Sequence, residues 1–337
     1  MKAVVYTQQA LPIEDPQSLI DMDLPIPTPG PRDLLIEVKA ISVNPVDTKV
    51  RVRAAASASE PKVLGWDAVG IVRGVGSDVT LFKTGDEVFY AGSIARPGSY
   101  SEFHVVDERI VGLKPQSLDN AHAAALPLTS ITAWELLFDR LGVAEGGGEG
   151  DSLLIIGAGG GVGSILVQLA RKLTKLTVIG TASRDQTREW VKTLGAHHVI
   201  DHGQPLVAQL EKIGVSEVSH VISLTHTGSY LPQLIEALRP QGQLALIDDP
   251  ESLDVMPLKR KSLSLHWELM FTRSLFETPD MIEQHRLLNR VAKLIDQGVL
   301  KTTLGEHFGA INAENLRRAH ALIESGKATG KIVLEGF

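Results

Sequence analysis

The chain has 337 residues, 43% of them apolar, a formal net charge of −7 and no cysteine. That length and apolar content supply sizeable cores and predict two domains. The missing cysteine excludes disulfides, thiolate nucleophiles and cysteine-ligated zinc, and the acidic balance without a basic block argues against nucleic acid as a partner.

The opening run MKAVVYTQQA reads as a strand over Lys2–Tyr6 and lacks the long apolar core of a signal peptide. No apolar run reaches transmembrane length, so a cytoplasmic protein with no membrane partner is expected. Pro25, Pro27, Pro29, Gly30 and Pro31 interrupt regular structure before a second strand, Leu34–Val43. Further β-like pieces follow at Ala68–Val75, Asp86–Tyr90 and Tyr100–Val106. Short strands between Gly and Pro turns predict an antiparallel, barrel-like domain. Two polar groups break the pattern. Asn44 offers a donor and an acceptor to a carbonyl substrate or to a nicotinamide ribose; equally, Asn44-Pro45 is a turn that caps a short helix. In that helix Asp47 and Arg51 lie at i and i+4 and are predicted to pair. Trp66 and Asp67 either line a cleft or form a buried aromatic beside a capping carboxylate.

Ala124–Leu137 carries a hydroxyl cluster, Thr129, Ser130 and Thr132, suited to hydrogen-bonding the nicotinamide end of a cofactor or to capping a helix. The next stretch, Gly150–Ala170, reads as a strand (Leu153–Ile156), a glycine-dense turn and a helix opening near Val162. A strand turning tightly into a helix presents backbone N–H groups and a positive dipole end to a dinucleotide pyrophosphate. Gly160, Gly161, Val162 and Gly163 are the predicted contacts, with Ala158 in the first glycine slot of the usual G-x-G-x-x-G spacing. Leu176–Thr181 is the second parallel strand. No acidic residue follows it directly; Ser183 and Arg184 do, a pair suited to a 2′-phosphate. NADP(H) is therefore the predicted cofactor, with Asp185 the one feature against it.

Strands are further predicted at His198–Ile200, Val218–Ser223 and Gln243–Ile247, with helices ending at Leu194 and spanning Tyr230–Leu238. Buried strands alternating with helices indicate α/β architecture with a doubly wound parallel sheet, a Rossmann domain. Its crevice lies beyond the carboxyl ends of the strands, where Thr225 and His226 fall. Ser262–Met270 reads as an edge strand, and an exposed edge predicts a homodimer. Met270 and Phe271 are expected at a substrate cleft. Amphipathic helices are predicted at Met281–Ile295 and Ala313–Ile323, then a last strand from Lys331 that returns to the first domain. The organisation expected is residues 1–127 and 271–337 as one domain, with residues 128–270 inserted as the other.

The segments SVNPVDTKVR (42–51), GWDAVG (65–70), ALPLTSITAWE (125–135), IIGAGGGVGSILVQLA (155–170), LGAHHVID (194–201) and TGKIVL (329–334) together resemble the medium-chain dehydrogenase/reductase superfamily, on its zinc-independent quinone oxidoreductase side. The chain is also similar to bacterial proteins called zinc-type alcohol dehydrogenase-like. The resemblance implies a GroES-like β-rich barrel domain beside the Rossmann domain. It also implies that Asn44, Thr129 and Lys331 approach the cofactor or the active cleft. In zinc-dependent relatives a cysteine in the segment matching 42–47 and a histidine in that matching 65–70 hold the metal. Asn44 and Trp66 stand there in this chain, and residues 88–103 lack the four cysteines of a structural zinc lobe. No zinc is expected. A tyrosine often found in quinone reductases shortly after the position of Arg51 is absent from Val52–Ala56.

The activity implied is hydride transfer from NADPH to a quinone or α,β-unsaturated carbonyl, with Asn44 and Thr129 as donors to the developing oxyanion and Trp66, Met270 and Phe271 around the substrate. A carbonyl or aldehyde reductase, and a non-catalytic NADPH-binding redox sensor, are the alternatives.

Overall fold

A computed structural model describes all residues, 1–337. The chain divides into two compact units: Met1–Ile131 with Phe271–Phe337, and Thr132–Met270.

The first unit is β-rich. Its N-terminal part runs β1 (Lys2–Tyr6), β2 (Ile20–Asp23), β3 (Asp33–Val43), α1 (Pro45–Arg53), β4 (Lys62–Val63), β5 (Ala68–Val75), β6 (Glu87–Tyr90), β7 (Phe103–Asp107), β8 (Val111–Leu113), α2 (Asn120–Ala124) and α3 (Pro127–Trp134). β3 shows why: Leu34, Ile36, Val38 and Ala40 alternate inward, and from Ala40 onward every residue is buried. β1 lies between β2 and β4 in a three-stranded antiparallel sheet. β3 is the hub of a seven-stranded sheet, pairing antiparallel with β5 and β7. The strand predicted from Tyr100 begins only at Phe103; Tyr100 and Ser101 turn inward, and Ser101 makes an isolated bridge to Ala3.

The second unit holds β9 (Ser152–Ile156), α4 (Gly161–Leu173), β10 (Thr177–Thr181), α5 (Asp185–Thr193), β11 (His198–Ile200), α6 (Leu206–Lys212), β12 (Val218–Ser223), α7 (Thr227–Ala237), β13 (Leu238–Leu246) and β14 (Ser264–Trp267). All six strands run parallel in the order β11-β10-β9-β12-β13-β14. Strand order reverses between β9 and β12, the switch point at which such sheets open a crevice. Leu154, Ile156, Ile179, Val221, Leu234 and Leu244 pack in one core, each contributing about 1.5–3 kcal/mol relative to exposure. β13 starts earlier than its sequence suggests. Gln241 adopts a left-handed φ of 64° there, and the pairing with β12 skips from Leu238 to Gln243. β14 is shorter than the predicted Ser262–Met270: it starts late because Ser262, at φ 52°, ends a 3-10 turn over Met256–Lys261, and it stops at Trp267.

The chain then returns to the β-rich unit with α8 (Thr272–Leu275), α9 (Glu283–Asp296), β15 (Leu304–His307), α10 (Ala313–Glu324) and β16 (Lys331–Glu335). β16 pairs antiparallel with β3, Ile332 opposite Val43, and parallel with β15. No helix is long and apolar enough to cross a membrane.

Candidate functional site

In the parallel-sheet unit, β9 feeds the glycine turn directly. Gly157 takes φ +81°, which its missing side chain permits. A Cβ on Gly163 would lie 2.5 Å from Gly157 O and 2.6 Å from Ala158 Cα, so the turn folds back on the start of α4 only because Gly163 is bare. Ala158 is buried beside bare Gly180 of β10. Gly160 is the N-cap of α4, and the N–H groups of the first turn, Gly161 to Gly163, have no carbonyl within the helix to bond. The turn is braced from outside. Ser164 Oγ donates to Gly160 O (2.7 Å) and accepts the Trp190 Nε1–H (2.8 Å). Thr181 Oγ1, at the end of β10, accepts the Gly157 N–H at 3.1 Å.

Ser183 and Arg184 follow β10 and are exposed. Asp185, the residue that argued against a 2′-phosphate, is the first residue of α5, where its charge favours the helix dipole. After β12, Thr225 Oγ1 bonds His226 Nδ1 at 2.6 Å. His226 is left-handed, at φ 52°, and the following Thr227 is held through both its N–H and its hydroxyl by Asp248 at the end of β13.

In the β-rich unit the sequence-predicted Asn44 and Lys331 meet in a buried polar cluster with Asp67. Asn44 is 1% exposed and Lys331 3%. The Lys331 ammonium donates to Val43 O at 2.9 Å and to Asn44 Oδ1, and lies 3.4 Å from Asp67 Oδ2. Asn44 Nδ2 donates to Asp67 Oδ2 (3.1 Å) and more weakly to Ser42 O (3.4 Å). Asp67 Oδ2 also accepts from Ser42 Oγ at 2.6 Å, and its Oδ1 accepts the Leu128 N–H at 3.2 Å. Burial pushes the Asp67 carboxyl upward against the pull of Lys331, Ser42, Asn44 and Leu128. Burial likewise lowers the Lys331 ammonium against Asp67 and Asp47.

A second layer lies beside it. Asp47 accepts the Asn44 N–H (2.8 Å), the reciprocal half of a capping box. The same oxygen, Oδ2, accepts the Tyr100 hydroxyl at 2.8 Å, and Tyr100 in turn contacts His320 Nε2 at 3.2 Å. Gly65 makes room for that ring: a Cβ there would lie 2.2 Å from Tyr100. Burial raises Asp47 to about 7 and lowers His320 to about 3. The predicted Asp47–Arg51 pair does not form. Arg51, itself buried, runs instead to the half-buried Leu11 O and to the exposed Glu324 carboxylate at the end of α10, each at 2.6 Å.

The other predicted residues lie apart from these hydrogen bonds. Thr129 is buried and donates to Leu126 O at 3.2 Å, so it bonds a carbonyl and does not cap α3. Trp66 is buried with its indole N–H on Ser93 O, and its ring meets Phe271 edge to face at 6.4 Å. Met270 and Phe271 are both buried. Ser42, Tyr100 and His320 escaped the sequence reading. Only Ser42 carried a local signal, two residues before Asn44 at the end of a strand.

The alcohol dehydrogenase GroES-like domain family matches residues 30–116, and the zinc-binding dehydrogenase family matches residues 194–334. A zinc-type alcohol dehydrogenase-like protein of Staphylococcus aureus (strain MSSA476) is 42% identical over 90% of each chain. The chain belongs to the medium-chain dehydrogenase/reductase superfamily. Within it, a crystal structure from Rhizobium etli CFN 42, provisionally described as a zinc-dependent alcohol dehydrogenase, has 57% identity and a TM-score of 0.95. It covers 100% of this chain and 98% of its own. Escherichia coli quinone oxidoreductase complexed with NADPH has 25% identity and a TM-score of 0.83 over 99% and 100% of the two chains.

For this member of the superfamily, the zinc in its relatives' names does not fit the residues present. No group of three or more His, Cys, Asp or Glu side chains is placed to hold a metal ion. Asn44 offers an amide already bonded to Lys331 and Asp67, and Trp66 offers a donor, not a lone pair. The cation at Asp67 is the ammonium of Lys331.

Proposed function

We propose that the protein is an NADP(H)-dependent oxidoreductase that passes hydride to a quinone or an α,β-unsaturated carbonyl without catalytic zinc. The observation that carries the reading is the braced glycine turn at the sheet's switch point, followed by Ser183-Arg184 in place of an acidic residue. The N–H groups of Gly161, Val162 and Gly163, with Gly160 as the cap, receive the pyrophosphate. Ser183 and Arg184 receive the 2′-phosphate, and Thr225 the ribose toward the nicotinamide. When bound, NADPH supplies the hydride.

Quinones and conjugated carbonyls need donors for the developing oxyanion, not a Lewis acid. Asn44 can release its long 3.4 Å bond to Ser42 O, and Thr129 its 3.2 Å bond to Leu126 O, in exchange for that oxygen. Long hydrogen bonds in an unliganded site tighten when substrate arrives. Trp66 and Phe271, packed edge to face in the β-rich unit, are the apolar side chains assigned to a flat acceptor. The E. coli quinone oxidoreductase with NADPH supports both the cofactor and the acceptor class. We further propose a homodimer built on β14, the exposed edge of the parallel sheet.

The test is a panel of quinones, enones, aldehydes and alcohols with NADPH and NADH, followed by nicotinamide absorbance. Quinone or enone turnover with NADPH is expected, and alcohol turnover alone would reject the reading. Arg184→Ala should weaken NADPH by about 10–100-fold, the worth of a charge-assisted hydrogen bond. NADH should change little; equal loss of both cofactors would remove Arg184 from the 2′-phosphate.

A further inference from the structure

Lys331 sits where three distant pieces of the β-rich unit converge: the end of β3, the residue before β5, and β16. Its ammonium has three protons. Three acceptors face it, Val43 O, Asn44 Oδ1 and Asp67 Oδ2. Because the ammonium takes Asn44 Oδ1, the Asn44 NH2 must face Asp67 Oδ2 and Ser42 O. A flipped amide would turn its NH2 onto the ammonium and lose those bonds.

The ion pair reaches further through Asp67. One carboxylate oxygen holds Ser42 and Asn44; the other holds the Leu128 N–H, one residue before Thr129. Both candidate oxyanion donors therefore hang on one buried salt bridge. Reaching a cofactor phosphate would require the ammonium to leave all three acceptors and strand the wholly buried Asp67 without a countercharge.

We infer that Lys331 is a positioning residue and not a cofactor ligand: its ammonium fixes the direction of the Asn44 amide and neutralises Asp67, which ties down the start of α3. This rests on the oxyanion role of Asn44 and Thr129 proposed above.

The experiment compares Lys331→Met, Lys331→Arg and the double variant Lys331→Met/Asp67→Asn with wild type in the full chain. Four quantities are read: melting temperature, NADPH Kd by fluorescence, kcat with a quinone, and the Asn44 side-chain amide resonance. That resonance is obtained by 15N-asparagine labelling and identified by its loss in Asn44→Ala. In Lys331→Met the amide resonance should move and kcat should fall roughly 100-fold, the scale of a misplaced reacting group. The NADPH Kd should stay within about twofold. Lys331→Arg should keep the fold, but a planar guanidinium cannot reproduce the three-way bonding, so the resonance should still shift. If Lys331→Met fails to fold, the double variant carries the test. It removes both charges, so it should recover the melting temperature while kcat and the Asn44 resonance remain altered. An unmoved Asn44 resonance overturns the inference, as does a roughly tenfold weaker NADPH Kd with kcat intact. If wild type turns over no quinone or enone, the proposed reaction fails, and the Asn44 resonance alone still decides for or against the positioning of the amide.

Discussion

Asp47 is wholly buried, with one carboxylate oxygen on Asn44 N–H and Tyr100 and the other, Oδ1, without a partner. Its group neighbours are Lys331, Asp67, Tyr100 and, beyond the tyrosine, His320. Two buried carboxyls thus share one ammonium, and burial holds the Asp47 proton up to about 7. The native pKa exceeds the unfolded one, so the native state binds this proton more tightly. The stability it contributes is complete below about pH 4 and is lost as pH rises to about 7. His320 and His104, lowered to about 3 and about 4, act oppositely: their contribution is lost as pH falls below about 6.5. Asp47→Asn cannot ionise, and subtracting wild type cancels the histidines. Denaturant unfolding at pH 5 and pH 8 should show the variant gaining on wild type by a few kcal/mol at the higher pH. Parallel profiles would show that Asp47 is ionised throughout. None of this was legible from Asp47 and Arg51 at i and i+4. That spacing sets which residues neighbour each other along α1, but the actual partners, Tyr100 and Glu324, lie 53 and 273 residues away.

The strand–turn–helix from β9 to α4 is the element most fully legible in the sequence, because every feature it needs is local. Leu153–Ile156 is a buried run, Gly157 supplies the positive φ, and Gly163 supplies the close approach. What the local pattern could not supply is the brace from Trp190 and Thr181, which arrives from α5 and β10. Gly163→Ala tests the element. Its Cβ would press on backbone, Gly157 O and Ala158, which cannot swing aside as a side chain would. The cost should be about 1–3 kcal/mol of stability. Displacement of the first turn of α4 should also weaken NADPH by about tenfold or more. Gly160→Ala is the control for folding: its φ is −77° and the nearest atom to its Cβ is 3.6 Å away, so its melting temperature should match wild type. Equal melting temperatures for the two variants would mean that the turn has room the geometry denies. β14 shows the opposite case. Ser262–Met270 reads as a longer strand, but the left-handed Ser262 ends the preceding 3-10 turn and delays entry into the sheet.

At the scale of the molecule, composition carries much of the functional argument. A chain without cysteine has no thiolate ligand for zinc, and Asn44 and Asp67 are already bonded to one another and to Lys331. Protein prepared without chelator should contain far less than one zinc per chain by elemental analysis, and EDTA should leave quinone reduction intact; one tightly held zinc per chain would reverse this. The alternation of strands and helices made the parallel sheet legible, and Lys331–Leu334 was recognisable as a strand. Its exact meeting with Asn44 was not, since 287 residues separate them and nothing local marks Asp67 as their shared partner. β14 pairs with β13 on one side only; Trp267, its last residue, is 52% exposed and Leu269, just beyond it, 50% exposed. Unpaired strand polar groups next to exposed apolar side chains are a template for another strand. A second copy meeting it about a two-fold axis would pair β14 with β14 antiparallel and close the interface. Light scattering coupled to size exclusion should therefore give twice the 36.4 kDa chain mass. Trp267→Glu would bury carboxylates without countercharges in that interface and should shift the mass toward a single chain. A wild-type mass of one chain at micromolar concentration would show that solvent alone covers the edge.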